Sequence, residues 1–153
     1  WIMHKSLFRF IEGCLYGYQE NMALLEYKCS KLDMIASSGQ SSLVVGDRVM
    51  KSPDYDDAIV NKITTMNLLQ EEIVKLKYKT EPITAVLKYL NKDNVMRKII
   101  ELRYFERKSW SQIADELHMS MRHIYNKRKE LVSLVGNFFY SRNEAGVTGK
   151  SRS

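Results

Sequence analysis

The chain has 153 residues, 44% hydrophobic and 27% charged, with a formal net charge of +6; this make-up excludes disorder throughout and fits about one globular domain. Seven glycines and two prolines are too few for the turns of a many-stranded fold, while Leu, Lys, Glu, Ile and Met supply helix-compatible stretches, so the expected class is all-α. No apolar run reaches the roughly 20 residues that span a bilayer, and Trp1 to Phe10 lacks a leader's apolar stretch and cleavage site, so a membrane partner is not expected.

In residues 1–36, Leu7, Ile11, Leu15, Tyr18, Met22, Leu25, Leu32 and Ile35 recur near helical spacing. They predict an amphipathic segment of one long helix or two shorter ones, with Gly13 and Gly17 as its weak points. Cys14 and Cys29 fall in this stretch without Cys-x-x-Cys or a histidine at ligand spacing, which suits small core residues better than a disulfide or a metal site. Residues 37–52 carry Ser37, Ser38, Gly39, Gln40, Ser41, Ser42 and the pair Gly46-Asp47 and read as a Ser-rich connector.

Residues 53–91 begin at Ser52-Pro53-Asp54, which offers a capping hydroxyl, proline at the first helical position and acids at the positive end of the dipole. The helix is expected to run to about Lys79. Its stripe of Ile59, Ile63, Met66, Leu69, Ile73 and Leu76 resembles a short coiled-coil seam. That seam is a candidate surface for a homodimer or higher homo-oligomer, and equally for packing on the chain's own first helix. Thr80-Glu81-Pro82 should end this helix and start a short one from Pro82 to Leu90.

Residues 92–136 hold three helical patterns. Val95 to Phe105 puts Val95, Ile99 and Leu102 on one face, widened by Met96, Ile100 and Phe105. Ser109-Trp110-Ser111-Gln112 has the form of a capping box, so a second helix starts at Ser109, with Ile113, Ala114 and Leu117 inward, and stops at His118. Ser120 can cap a third, burying Ile124, Leu131 and Val135. At roughly 100° per residue, Arg122, Tyr125, Asn126, Lys129 and Ser133 then share an outward sector.

Charge singles out the same region. Residues 1–96 balance 12 basic against 12 acidic side chains, whereas residues 97–129 hold nine against four, five of the net +6. A neutral front with a basic back suits a segment that meets a polyanion. Arg and Asn match guanine and adenine edges, and a helix fits the major groove, so the outward sector predicts contact with double-stranded DNA. Arg107, Lys108, Ser109 and Lys127, with His123, are candidates for contacts to DNA phosphates. Residues 137–153 read as a disordered tail.

The run Arg103-Tyr104-Phe105, then Ser109-Trp110-Ser111-Gln112-Ile113-Ala114-Asp115-Glu116-Leu117-His118-Met119-Ser120 with Ile124 four further on, resembles the fourth-region helix-turn-helix of bacterial sigma factors. It is more similar still to sigma-like late-gene regulators of bacteriophages, of the ArpU and RinA type. The specific likeness covers about 45 residues; the rest shares only a general layout. It implies an activator of late phage genes working near the promoter with host RNA polymerase, in the cytoplasm of a bacterial host at its nucleoid. By position it assigns base reading to Ser120, Met121, Arg122, Tyr125 and Asn126, to which the outward sector adds Lys129. Two departures stand out: His118 occupies a turn position where glycine is commonest and positive φ is often needed, and Lys127 replaces a commonly apolar or arginine residue.

No Gly-rich phosphate loop, His-Glu-x-x-His pair or nucleophile elbow is present, and His4, His118 and His123 do not gather with carboxylates. No catalysis, cofactor, metal or small-molecule substrate is therefore expected. The alternatives are a small-terminase-like DNA-packaging subunit, which would assemble into a ring, a sigma-like module that binds RNA polymerase, and a protein-interaction bundle that never touches DNA.

Overall fold

The computed structural model describes the backbone of residues 3–45 and 53–151 and the side chains of residues 3–38 and 57–141. The fold is all-α. Six α-helices follow one another in the described residues: α1 (Lys5–Tyr16), α2 (Tyr18–Val45), α3 (Pro53–Tyr89), α4 (Val95–Ile99), α5 (Trp110–Glu116) and α6 (Met121–Ser151), with a π-helical turn at Ile100–Phe105 between α4 and α5. They form two compact units, one of Trp1–Gln19 with Lys79–Ser153 and the other of Glu20–Tyr78.

In the first unit, α1 is capped by His4, whose ring nitrogen accepts from the Ser6 amide at 3.3 Å. It ends at Gly17, which leaves helical geometry at φ −90°, ψ 1°. The first segment is therefore two helices. Ile11 and Leu15 from α1, Ile83 and Val86 from α3, Ile99, Ile100, Tyr104, Ile113, Ile124, Leu131, Val132 and Val135 are all buried in one cluster. Burying this much aliphatic and aromatic surface is the main force holding the unit together. Tyr18 Oη and Thr84 Oγ1 share a hydrogen bond of 2.7 Å, and Arg97 closes the α3 to α4 turn by donating to the carbonyls of Leu87 and Leu90.

The second unit pairs parts of α2 and α3. Leu69 and Ile73 of the expected stripe are buried, Ile59, Met66 and Leu76 are half-buried, and Ile63 is 53% exposed. Lys28 Nζ donates to Glu72 Oε2 at 2.5 Å, tying the two helices at that level and holding the Glu72 carboxyl below the usual range.

Three expected boundaries fall inside helices. The boundary at 36 lies within α2, which continues to Val45; serine lowers helix propensity only slightly, and the helix absorbs Ser37 and Ser38. The remaining connector, 46–52, lies outside the described residues. Pro82 does not break α3. It removes one backbone donor, but Thr80, Pro82, Ile83 and Val86 are buried, and that burial offsets a lost bond. Residue 137 lies within α6, whose buried Phe139 packs against Phe10 with ring centroids 5.8 Å apart. The expected tail therefore contributes to the core at its beginning, and the α6 backbone runs on to Ser151.

Candidate nucleic-acid interface

Local sequence sets the ends of α5 and α6. Ser109 Oγ accepts from the Gln112 amide at 3.1 Å while the Ser109 amide donates to Gln112 Oε1 at 3.0 Å, a complete capping box. Four residues, Leu117 to Ser120, then reverse the chain. His118 takes φ 55°, and the Met119 amide donates back to the Ala114 carbonyl at 2.9 Å, satisfying an orphan acceptor at the end of α5. Ser120 caps α6, its hydroxyl accepting from the His123 amide at 3.1 Å.

This turn fixes which side of α6 faces out. Ile124, Leu131 and Val135 are fully buried, with Val132 beside them. Arg122, Asn126 and Lys129 are exposed, as are Ser120, Tyr125 at 42% and Met121 at 37%; Ser133 is half-buried. The structure therefore brings the proposed base-reading side chains onto one outward stretch at the start of α6. Tyr125 is held there by Trp110, whose ring lies 6.4 Å away.

The proposed phosphate contacts are placed less uniformly. Arg107 is exposed in the turn before α5 at φ 63°, its Nη2 donating to the Tyr16 carbonyl at 3.1 Å and its guanidinium 5.0 Å from the Tyr16 ring. Lys108 is paired with Glu116 at 2.5 Å and with Glu106 at 3.7 Å. The Glu116 carboxylate holds its ammonium above the usual lysine range. Ser109 Oγ accepts the cap bond yet keeps its own proton to donate. His123 is exposed, and Lys127 is half-buried with Glu130 at 3.2 Å.

Arg128, one of the nine basic residues of the charged window, turns inward instead. Its Nε and Nη2 donate to the two carboxylate oxygens of Glu12 on α1, at 2.9 and 2.6 Å, and Tyr104 Oη donates to the same carboxylate at 2.7 Å. Glu12 is 8% exposed. Its carboxylate holds the guanidinium above the usual range, while burial, reinforced by Glu12, pushes the Tyr104 phenol far up. Two guanidiniums lie over the Trp110 ring, Arg103 at 4.9 Å and Arg128 at 5.3 Å, a cation–π arrangement. Arg103 also donates to Tyr16 Oη at 2.9 Å and to the Lys108 carbonyl at 2.9 Å.

These groups hold α1, the π turn, α5 and α6 in one setting. Sequence reading missed Glu12, Tyr16, Arg103 and Arg128 in that role, since their partners lie up to 116 residues away. Among the described residues no cluster of three or more His, Cys, Asp or Glu is suited to a metal ion, and no helix is long and apolar enough to cross a membrane. No curated protein and no solved structure matches the chain. A family model covers residues 49–137, more than half of the length, and the chain accordingly belongs to the family described as protein of unknown function (DUF722).

Proposed function

We propose that the chain is a sequence-specific binder of double-stranded DNA that regulates transcription. In this reading α5 and α6 act as a helix-turn-helix, with α6 in the major groove and the start of α5 against the sugar-phosphate backbone. The observation that carries it is the exposed sector of Arg122, Tyr125, Asn126 and Lys129 on a helix whose other side is locked into a core. Arg122 and Asn126, one turn apart, supply the bidentate chemistry that distinguishes guanine and adenine edges. Arg107 supplies an exposed charge in the turn before α5, and Ser109 a hydroxyl proton. Lys108 and Lys127 would have to exchange a carboxylate partner for a phosphate, so their contribution is expected to be smaller than that of Arg107. The resemblance to sigma-like late-gene regulators extends the proposal to activation of late phage genes alongside host RNA polymerase.

The test is selection of bound sequences from random duplex DNA, followed by affinities for the winner and for a random duplex. A single enriched motif is expected, with Arg122→Ala and Asn126→Ala each reducing discrimination by roughly 1 to 3 kcal/mol. Equal losses on both duplexes would refute the assignment of base reading to α6. Binding to RNA polymerase without any DNA affinity would favour the polymerase-binding alternative.

A further inference from the structure

The seam expected on α3 is used within the chain: Leu69 and Ile73 are buried, and Lys28 of α2 reaches Glu72 beside them. A second apolar stripe stays outside. Val60 is 59%, Ile63 53% and Val74 62% exposed, and Asn67, Gln70 and Glu71 between them are exposed as well. At about 100° per residue from Leu69, Ile73 points to roughly 40°, whereas Val74, Asn67 and Val60 point to about 140°, 160° and 180°. The stripe therefore faces away from the seam. Val60, Asn67 and Val74 repeat at the heptad interval of a helix that packs lengthwise on another.

The chemistry of this stripe fits a second copy of the chain running in the opposite direction. Asn67, Gln70, Glu71 and Val74, with Lys75, line an open hollow. The first four of these positions are spaced i, i+3, i+4 and i+7, the hole into which a facing helix sets one apolar side chain. A twofold axis at Asn67 lays Val60 of each copy over Val74 of the other and brings Ile63 over the hollow. At the axis Asn67 meets its own counterpart, and its amide group both donates and accepts. Charge selects the direction. Asp57 and Lys75 are both exposed and 18 residues apart, about five whole turns, so they share one flank of the helix. In an antiparallel pair that flank meets the same flank in reverse order, and Asp57 of each copy comes within about 3 Å of rise of the other's Lys75. In a parallel pair the opposite charges stay about five turns apart.

We propose that the outer face of α3 is a homodimer interface, in which two copies of the helix pack antiparallel about Asn67. Val60, Ile63 and Val74 are its apolar contacts, Asn67 sets its register, and the Asp57 and Lys75 pairs set its direction. So few apolar side chains make a small interface, and the copies exchange at micromolar concentrations. The inference uses the second unit alone and does not depend on the DNA-binding reading.

The experiment is sedimentation equilibrium of the full chain across the micromolar range, with circular-dichroism melts to keep folding apart from association. A monomer–dimer equilibrium is expected. Ile63→Glu and Val74→Glu bury a charge at the contact and should each weaken association at least about tenfold. Leu68→Glu, at a position 55% exposed but about 100° round the helix from Asn67, should leave it unchanged. Asp57→Lys and Lys75→Asp should each weaken association, and the double variant, which exchanges the two charges, should restore it. A chain that stays monomeric, or a loss that Leu68→Glu reproduces, would overturn the interface. A double variant no better than the single ones would overturn its antiparallel arrangement.

Discussion

Glu12→Gln tests whether the buried carboxylate fastens α1 to α6. The carboxylate accepts three hydrogen bonds, from Tyr104 Oη, Arg128 Nε and Arg128 Nη2, at 2.6 to 2.9 Å. The amide can keep its oxygen where Oε2 stands, accepting from Tyr104 Oη and Arg128 Nε, but it turns an NH2 group against Arg128 Nη2 and removes the charge that faces the guanidinium. Hydrogen bonds to charged groups contribute on the order of 1.5 to 3 kcal/mol each, but the Arg128 side chain is 30% exposed and water recovers part of the loss. The net cost is then about 2 to 4 kcal/mol, which for a chain of this size lowers the melting temperature by roughly 5 to 15 °C. Trp110, 5.3 Å from the Arg128 guanidinium, reports the transition by fluorescence in a Trp1→Phe background. A double-mutant cycle with Arg128→Met isolates the pair, because the second substitution should cost much less once Glu12 has been changed. A melting temperature within about 1 °C of wild type, or full additivity of the two substitutions, would refute the clamp.

Other positions give independent checks. His118 sits at φ 55°, so His118→Gly is expected to be neutral within about 0.5 kcal/mol, whereas the β-branched His118→Val should cost on the order of 1 to 3 kcal/mol in denaturant melts. Equal stability of the two would mean that the turn is not strained. Gly136→Leu must displace Met3 and the fully buried Ile11 and should destabilise the first unit by about 1 to 3 kcal/mol; unchanged stability would mean that α1 does not pack on α6 as described. Burial pushes the Cys14 thiol from 9.0 up to about 11, so alkylation by iodoacetamide at pH 8 should modify Cys29 before Cys14. Because the folded value is the raised one, its contribution is fully present below pH 9 and lost as pH rises toward 11. Cys14→Ala should flatten that part of the stability profile, and an unchanged profile would show that Cys14 does not set it.

Short-range chemistry was the legible part of the fold. The Ser109 and Gln112 capping box, the Ser120 cap and the strained His118 are each decided within four residues, and pattern reading finds such features because cause and effect are neighbours in the chain. The outward sector of α6 was legible for the same reason: with Ile124, Leu131 and Val135 inward, a 3.6-residue period leaves few places for Arg122, Asn126 and Lys129. Pro82 shows where local rules fail. Its missing N–H argues for a break, and the burial of Ile83 and Val86 decides otherwise. The π turn at Ile100–Phe105, closed by the Glu106 amide donating to the Glu101 carbonyl at 2.9 Å, carries no pattern in its residues that separates it from an α-helical end.

The charge reading fails in a more instructive way. Counting nine basic residues against four treats every charge as facing solvent, but Arg128 is held by Glu12, Lys108 by Glu116 and Lys127 by Glu130. Two of these partners lie within eight residues and could have been paired by eye; Glu12 is in the neutral front half, 116 positions away, and no window reveals it. An acid of the front half thus converts a basic residue of the back half from a surface charge into a structural one, and in doing so fastens α1 to α6. The exposed cations left around α5 and the start of α6 are Arg107, Arg122 and Lys129, so a DNA footprint measured on the full chain should stay within reach of α6 and the start of α5. A footprint that extends well beyond those contacts would refute the confinement of the interface to α5 and α6.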